Sequence, residues 1–414
     1  MRRFDLGGFT ANDLDPVLGL RSVVSSIMNR SPRHVVSIDG LRGLGALCIL
    51  CTHFTRELFQ GAPGHPAVAD TMIAMDRTPL HFIFDGYHWV NMFFVLSGFA
   101  LSAMLSGSGG TPRTYLPYAI NRVFRIYPAY FFAVLAAVLL QHSLYKGPIP
   151  ALGDWFNSFW GSPPTQQDLL DHAVMIGQFK TDKLVFVIWS LVQEMRISLL
   201  FPLLYVVVAR VGVRGNLCFG LGLLALDFTW ATLADNGHLT PNTYYFTLHY
   251  TIFFWAGSLI FKFREALKQW WVERPNGQLA MLGGAGFMLF TYGGSVDKFL
   301  AADAKRTVII GDWLSGTGAV IFILFVIYSA PLSRFLSTRT MRFFGTISYS
   351  LYLLHGLVLI AALHAFYGVV PLWLLLPSCV AASVLISYIS LRLVEKPFMS
   401  FGKRVASSVA RKLT

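Results

Sequence analysis

Arg42 and His53 lie eleven positions apart in an otherwise apolar stretch. At 100° per residue that separation is about 1100°, roughly 20° from three full turns. A continuous helix therefore puts both on one face, about 16 Å apart along its axis. Asp39 falls one turn before Arg42 on nearly the same face. A histidine so placed suits proton transfer, because its ordinary pKa of about 6.5 makes it a usable base near neutrality. It would suit removal of a proton from a sugar hydroxyl as that oxygen attacks an activated carbonyl. Glu194 would orient or polarise such a base, or hold the acceptor. Arg196, two positions on, faces another side of the same helix. Arg122 and Arg125 stand at i and i+3 on one face, where two guanidinium forks suit the phosphates of a nucleotide-type donor. Plainer uses compete: snorkelling for Arg42, membrane anchoring for Arg122 and Arg125, a structural ion pair for Glu194.

The elements that hold these groups must sit in lipid. The chain has 414 residues, 55% hydrophobic, 15% aromatic and only 13% charged, with a mean hydropathy of +0.56. Soluble globular domains carry about 25% charged residues. The deficit excludes an ordinary soluble enzyme, a disordered tail protein and a coiled coil. About 20 apolar residues cross the hydrocarbon core. The pattern then predicts an all-α polytopic membrane protein with about ten spans. They run over 39–55, 87–105, 127–141, 188–209, 217–233, 244–261, 279–292, 308–330, 343–367 and 372–393. Gly283, Gly284 and Gly286 in the seventh suit close helix packing.

The formal charge of +12 and the pI near 9.6 have a membrane explanation. With the N-terminus inside, 22 of the 33 Lys and Arg fall in inner segments and 8 in outer ones, while Arg42, Arg196 and Arg392 lie within spans. This positive-inside bias puts both termini in the cytoplasm and needs no nucleic-acid partner. The first thirty residues lack the signature of a removable signal peptide, and 17–28 reads as a short interfacial helix. The expected organisation is a cytoplasmic segment 1–36, a transmembrane domain 37–398 and a basic cytoplasmic tail 399–414. Cys48 and Cys51 form a C-x-x-C, but at helical spacing inside a span they read as small buried hydrophobes. No disulfide framework and no metal site are expected.

Ionisable groups inside a bilayer are costly and tend to be functional. Besides Asp39, Arg42, His53, Glu194 and Arg196, the spans carry Asp227, His249, Asp312, His355 and His364. A secondary transporter or exporter of a small molecule or glycan would also combine spans, intramembrane charge and interrupted helices. The lack of repeated halves and of matched broken segments argues against it.

Six stretches carry a resemblance to a known family. They are SIDGLRGLGALCILCTHF (37–54), FFVLSGF (93–99), RVFRIYPAYF (122–131), WSLVQEMRISLLFP (189–202), SYSLYLLHG (348–356) and LVEKPF (393–398). Singly most are weak, but together and in order they resemble the membrane acyltransferase-3 family over all but the first thirty-odd residues. That resemblance implies a multi-pass protein of the bacterial inner (cytoplasmic) membrane. It would move an acyl group, by default acetyl, from acyl-CoA to a hydroxyl of an extracytoplasmic glycan or other acceptor. His53 matches the family's presumed catalytic histidine and Arg42 its paired arginine. Arg122 and Arg125 match the R-x-x-R associated with the acyl-CoA donor, Glu194 the recurring glutamate, and His355 the histidine of the ninth span. Arg196, Tyr349 and Ser97 are further candidates to line the site. Ser97 could carry an acyl-serine intermediate, although a hydroxyl bonded back to its own helix is its simpler role. The C-terminal SGNH hydrolase-like domain of some members is expected to be missing, since about twenty residues follow the last span.

Overall fold

In lipid every backbone N–H and C=O must find its partner inside the chain, so apolar runs of this length fold as helices. The computed structural model describes residues 35–107, 112–233, 244–296 and 304–413, and no strand occurs among them. The interfacial helix expected at 17–28 lies outside the described residues. The long helices are α1 (Val36–Thr52), α2 (Gly86–Ser106), α3 (Pro112–Leu144), α4 (Ile188–Arg210), α5 (Val213–Leu233), α6 (Tyr244–Lys262), α7 (Asn276–Tyr292), α8 (Ala304–Tyr328), α9 (Arg339–Phe366), α10 (Leu372–Ser390) and α11 (Lys396–Leu413).

Each of the ten predicted spans falls on one of α1 to α10. Seven stretches are long and apolar enough to cross a membrane: α2, α3, α4, α5, α8, α9 and the continuous run through α10 and α11. α1 and α7 have 17 residues each, and α6 dilutes its apolar residues with tyrosines, threonines and His249. Crossing by those three rests on the sequence pattern alone. α3 begins fifteen residues earlier than its predicted span, so Arg122 and Arg125 sit inside a helix rather than ahead of one. The extension is covered by α11, whose Phe401 ring lies 5.4 Å from that of Phe124.

Two glycine contacts set the interior. A Cβ on Gly345 of α9 would stand 2.1 Å from the Asp39 carbonyl oxygen, so α1 and α9 touch backbone to backbone beside Arg42. A Cβ on Gly257 of α6 would meet the Val95 carbonyl oxygen of α2 at 1.9 Å. Such close approach is how helices associate where lipid removes the hydrophobic drive. Gly283 and Gly286 likewise face Phe325 and Ile321 of α8, while Gly284 is open.

Two helices widen into π turns, His53–Glu57 after α1 and Leu391–Glu395 after α10. A π turn shifts the register of every later side chain and is frequent at functional sites. A buried polar tie joins α2, α5, α6 and α8. His249 lies 2.8 Å from Asp227 and 3.2 Å from Asp312, which also accepts from Asn91 and Tyr87. This joins three of the ionisable residues inside predicted spans in one buried network.

Candidate active site

α1, α2, α3, α4 and α9 enclose a cavity of about 150 Å³ lined by Arg42, Ser97, Arg122, Arg125, Glu194 and Tyr349. Arg122 donates to Glu194 Oε1 and to Ser198 Oγ, both at 3.0 Å. Ser97 reaches the same carboxylate oxygen at 3.5 Å. Arg125 donates to Glu395 Oε2 at 2.8 Å, and its guanidinium stacks 5.1 Å over the Tyr349 ring. Glu395 is buried and also accepts from Ser350. Two of the three guanidiniums are thus held in place by carboxylates. Arg42 is different: among the described residues it makes no hydrogen bond or ion pair. Its charge is left facing the cavity.

A second cavity, of about 370 Å³, is lined by His53, Arg56, Glu57, Asp85, Tyr87, Trp155, Asp182 and Trp189. Val90 and Tyr352 line both cavities. They form the wall where the two meet, and the Tyr352 hydroxyl there lies 2.6 Å from Ser190 Oγ.

The hydrogen bonds of His53 fix its proton. His355 Nδ1 lies 2.8 Å from the Leu351 carbonyl oxygen, which can only accept, so this nitrogen carries hydrogen. In a neutral ring His355 Nε2 is then bare. It lies 2.8 Å from His53 Nδ1, which must donate to it. That leaves His53 Nε2 as a lone pair with no protein partner among the described residues. Trp155 stacks 5.7 Å from the His53 ring and Phe186 meets its edge at 4.7 Å, so the ring is walled as well as tethered.

Those aromatic walls come from the segment between α3 and α4. Its helix Gln166–Val174 carries His172, buried with Nδ1 2.9 Å from the Tyr130 hydroxyl of α3. Burial pulls the His172 pKa down to about 4 from its ordinary 6.5. The undocked segment therefore takes up the proton first, and docking weakens as pH falls below 6.5 towards 4. At about 1.36 kcal/mol per unit the full loss is roughly 3 kcal/mol. Limited proteolysis within 142–187 is expected to be faster at pH 4.5 than at pH 7.5. A His172→Phe protein should lose that difference.

Comparison with known proteins decides the family. A family model described as an acyltransferase domain, that of acyltransferase-3, matches residues 35–392. The chain belongs to the acyltransferase-3 family. It is 23% identical over 387 residues to the peptidoglycan O-acetyltransferase OatA of Listeria monocytogenes, covering 90% of this chain and 57% of that one. It is 28% identical over 178 residues to the acyltransferase MdmB of Streptomyces mycarofaciens, covering 43% of this chain and 41% of that one. The chain thus spans under two thirds of the length of both relatives. No solved structure matches it.

Within this acyltransferase-3 domain the expected site residues divide. Arg42, Ser97, Arg122, Arg125, Glu194 and Tyr349 meet in the first cavity, while His53 with His355 stands at the second. Glu194 pairs with Arg122 and makes no hydrogen bond to His53. Arg196 lines neither cavity. It donates to the carbonyls of Ile176 and Gly177 and stacks 4.6 Å over Tyr244. Sequence reasoning did not reach Glu395, although it stands in the LVEKPF motif. Nor did it reach the cluster of His81, Asp85 and His88, whose H-x3-D-x2-H spacing bridges a loop and a helix start rather than one helical face.

Proposed function

We propose that the protein is a membrane O-acyltransferase that takes an acyl group, by default acetyl, from acyl-CoA in the Arg42 cavity. It passes that group to a hydroxyl held in the His53 cavity. The observation that carries this reading is the shared wall of Val90 and Tyr352, with an unpartnered guanidinium on one side and an unprotonated imidazole nitrogen on the other. CoA phosphates would sit on Arg42 with Arg122 and Arg125 beside it, and the thioester would reach the wall. There the acceptor oxygen attacks the thioester carbonyl while His53 Nε2 takes the hydroxyl proton. The C–S bond breaks, and the same proton passes from the imidazolium to the leaving thiolate, giving an ester and free CoA thiol.

The positive-inside distribution supports entry of the donor from the cytoplasm and of the acceptor from the outer face of the bacterial inner membrane. One relative's name supports a cell-envelope glycan as acceptor, since OatA is a peptidoglycan O-acetyltransferase. Purified protein given labelled acetyl-CoA and candidate glycans should release CoA thiol and label the glycan. A transporter would leave the thioester intact. Mass spectrometry of surface glycans from a deletion strain and its complement identifies the acceptor by the lost acyl mass.

Arg42→Gln is expected to raise the KM for acyl-CoA about 10–100-fold, because a hydrogen bond to a charged group contributes about 1.5–3 kcal/mol. The kcat should change much less. Initial-rate kinetics across donor concentrations separate the two parameters. A lowered kcat with an unchanged KM would remove Arg42 from donor binding.

A further inference from the structure

We propose that His81, Asp85 and His88 form a binding site for a divalent transition-metal ion of the zinc type, at the outer rim of the His53 cavity. The segment leading into α2 brings them together. His81 opens the short turn His81–Phe84, Asp85 caps α2, and His88 lies in the first turn of that helix. His81 Nε2 stands 3.0 Å and His88 Nε2 3.1 Å from one oxygen, Asp85 Oδ2. All three ligand atoms lie within 4.8 Å of one another.

Both imidazoles are buried, and neither Nε2 makes a hydrogen bond of acceptable geometry among the described residues. The Asp76 carboxylate lies 3.1 Å from His81 Nδ1 and also accepts from Arg56 Nε, so the His81 proton sits on Nδ1. In a neutral His81 ring Nε2 is then a lone pair 3.0 Å from a carboxylate oxygen. A second proton on His81 would satisfy that one pair, whereas one cation satisfies both imidazoles and the carboxylate together.

Two imidazoles and a carboxylate are a common zinc donor set, and a carboxylate on the far ring nitrogen is the usual outer support for a metal-bound histidine. The rings are also held in place. His81 stacks on Tyr292 at 5.6 Å, and a Cβ on Gly294 would press on the His88 ring. The other oxygen of Asp85 accepts from the Tyr87 N–H, which leaves Oδ2 free to face the imidazoles. A bound ion would pin this outer segment to the start of α2, beside the cavity that Asp85 and Tyr87 line.

The test uses full-length protein in detergent, stripped with a chelator and then titrated. Zn²⁺ in competition with a chromophoric chelator should bind at one equivalent per chain, and Co²⁺ should develop visible d–d bands. Asp76→Asn should weaken Zn²⁺ binding by about 10–100-fold through loss of the outer support. A His81→Ala/His88→Ala protein that keeps its helical circular dichroism should show neither signal. The proposal is overturned if the stripped wild type takes up no Zn²⁺ and gives no Co²⁺ bands. It is equally overturned if the double variant binds as the wild type does. The cluster would then be a protonated histidine clamp on Asp76 and Asp85.

Discussion

Replacing His53 with alanine is expected to slow acyl transfer by about 10²–10⁴-fold, the span that general-base catalysis usually supplies. Its Nε2 is the lone pair at the edge of the second cavity, and nothing else on α1 takes its place. The fold should survive, since the residue is only partly buried and its ring contacts are with Trp155, Phe186 and His355. Acyl-CoA binding should be nearly unchanged, because the donor cavity lies across the Val90 and Tyr352 wall. Equilibrium binding of a non-hydrolysable acyl-CoA analogue, measured beside turnover, separates loss of chemistry from loss of structure. An alanine protein that inserts normally and still turns over at near the wild-type rate would remove His53 from the mechanism.

The second large effect is expected at His355, which touches neither substrate and acts through His53. His355→Leu removes the acceptor for His53 Nδ1–H, so His53 is free to change tautomer and to rotate. By analogy with other outer supports of a functional histidine, kcat should fall by about 10–100-fold. KM for the donor should stay close to the wild-type value. His355→Gln, whose amide oxygen can still accept that hydrogen, should recover part of the loss. A merely structural role would not produce that ordering. Nitrogen NMR of labelled histidine gives an independent readout: His53 should show a bare Nε2 in the wild type and mixed tautomers in the leucine variant.

Much of the fold was legible because lipid leaves few solutions. A chain with long apolar runs must make helices, and each predicted span falls on one. Eleven residues return a helix to the same face, which is why the spacing of Arg42 and His53 suggested one site. What that arithmetic missed was the π turn at His53 and the aromatic wall beyond it. The two residues therefore open into different cavities instead of lining one passage. The length of α3 was hidden because its polar first half becomes a helix by packing under α11, a partner nearly three hundred residues away.

The site contacts that spacing left unidentified share that cause. Glu395 finds Arg125 across 270 positions, and His355 finds His53 across 302. Glu194, read as a partner for the histidine, is taken by Arg122 instead. Arg196, read as lining the site, ties the outer segment at Ile176 and Gly177 to α4. Spacing along one helix finds residues on one face. It cannot say which neighbouring helix meets that face.

The central claim is transfer across the wall between the two cavities. Its most direct measurement uses sealed proteoliposomes with the protein in one known orientation, labelled acetyl-CoA added on the Arg42 side and a glycan acceptor enclosed on the His53 side. The account predicts labelled glycan inside, free CoA thiol outside, and neither in vesicles carrying His53→Ala. Acylation that occurs only when donor and acceptor share a compartment, or intact acetyl-CoA carried across, would contradict it.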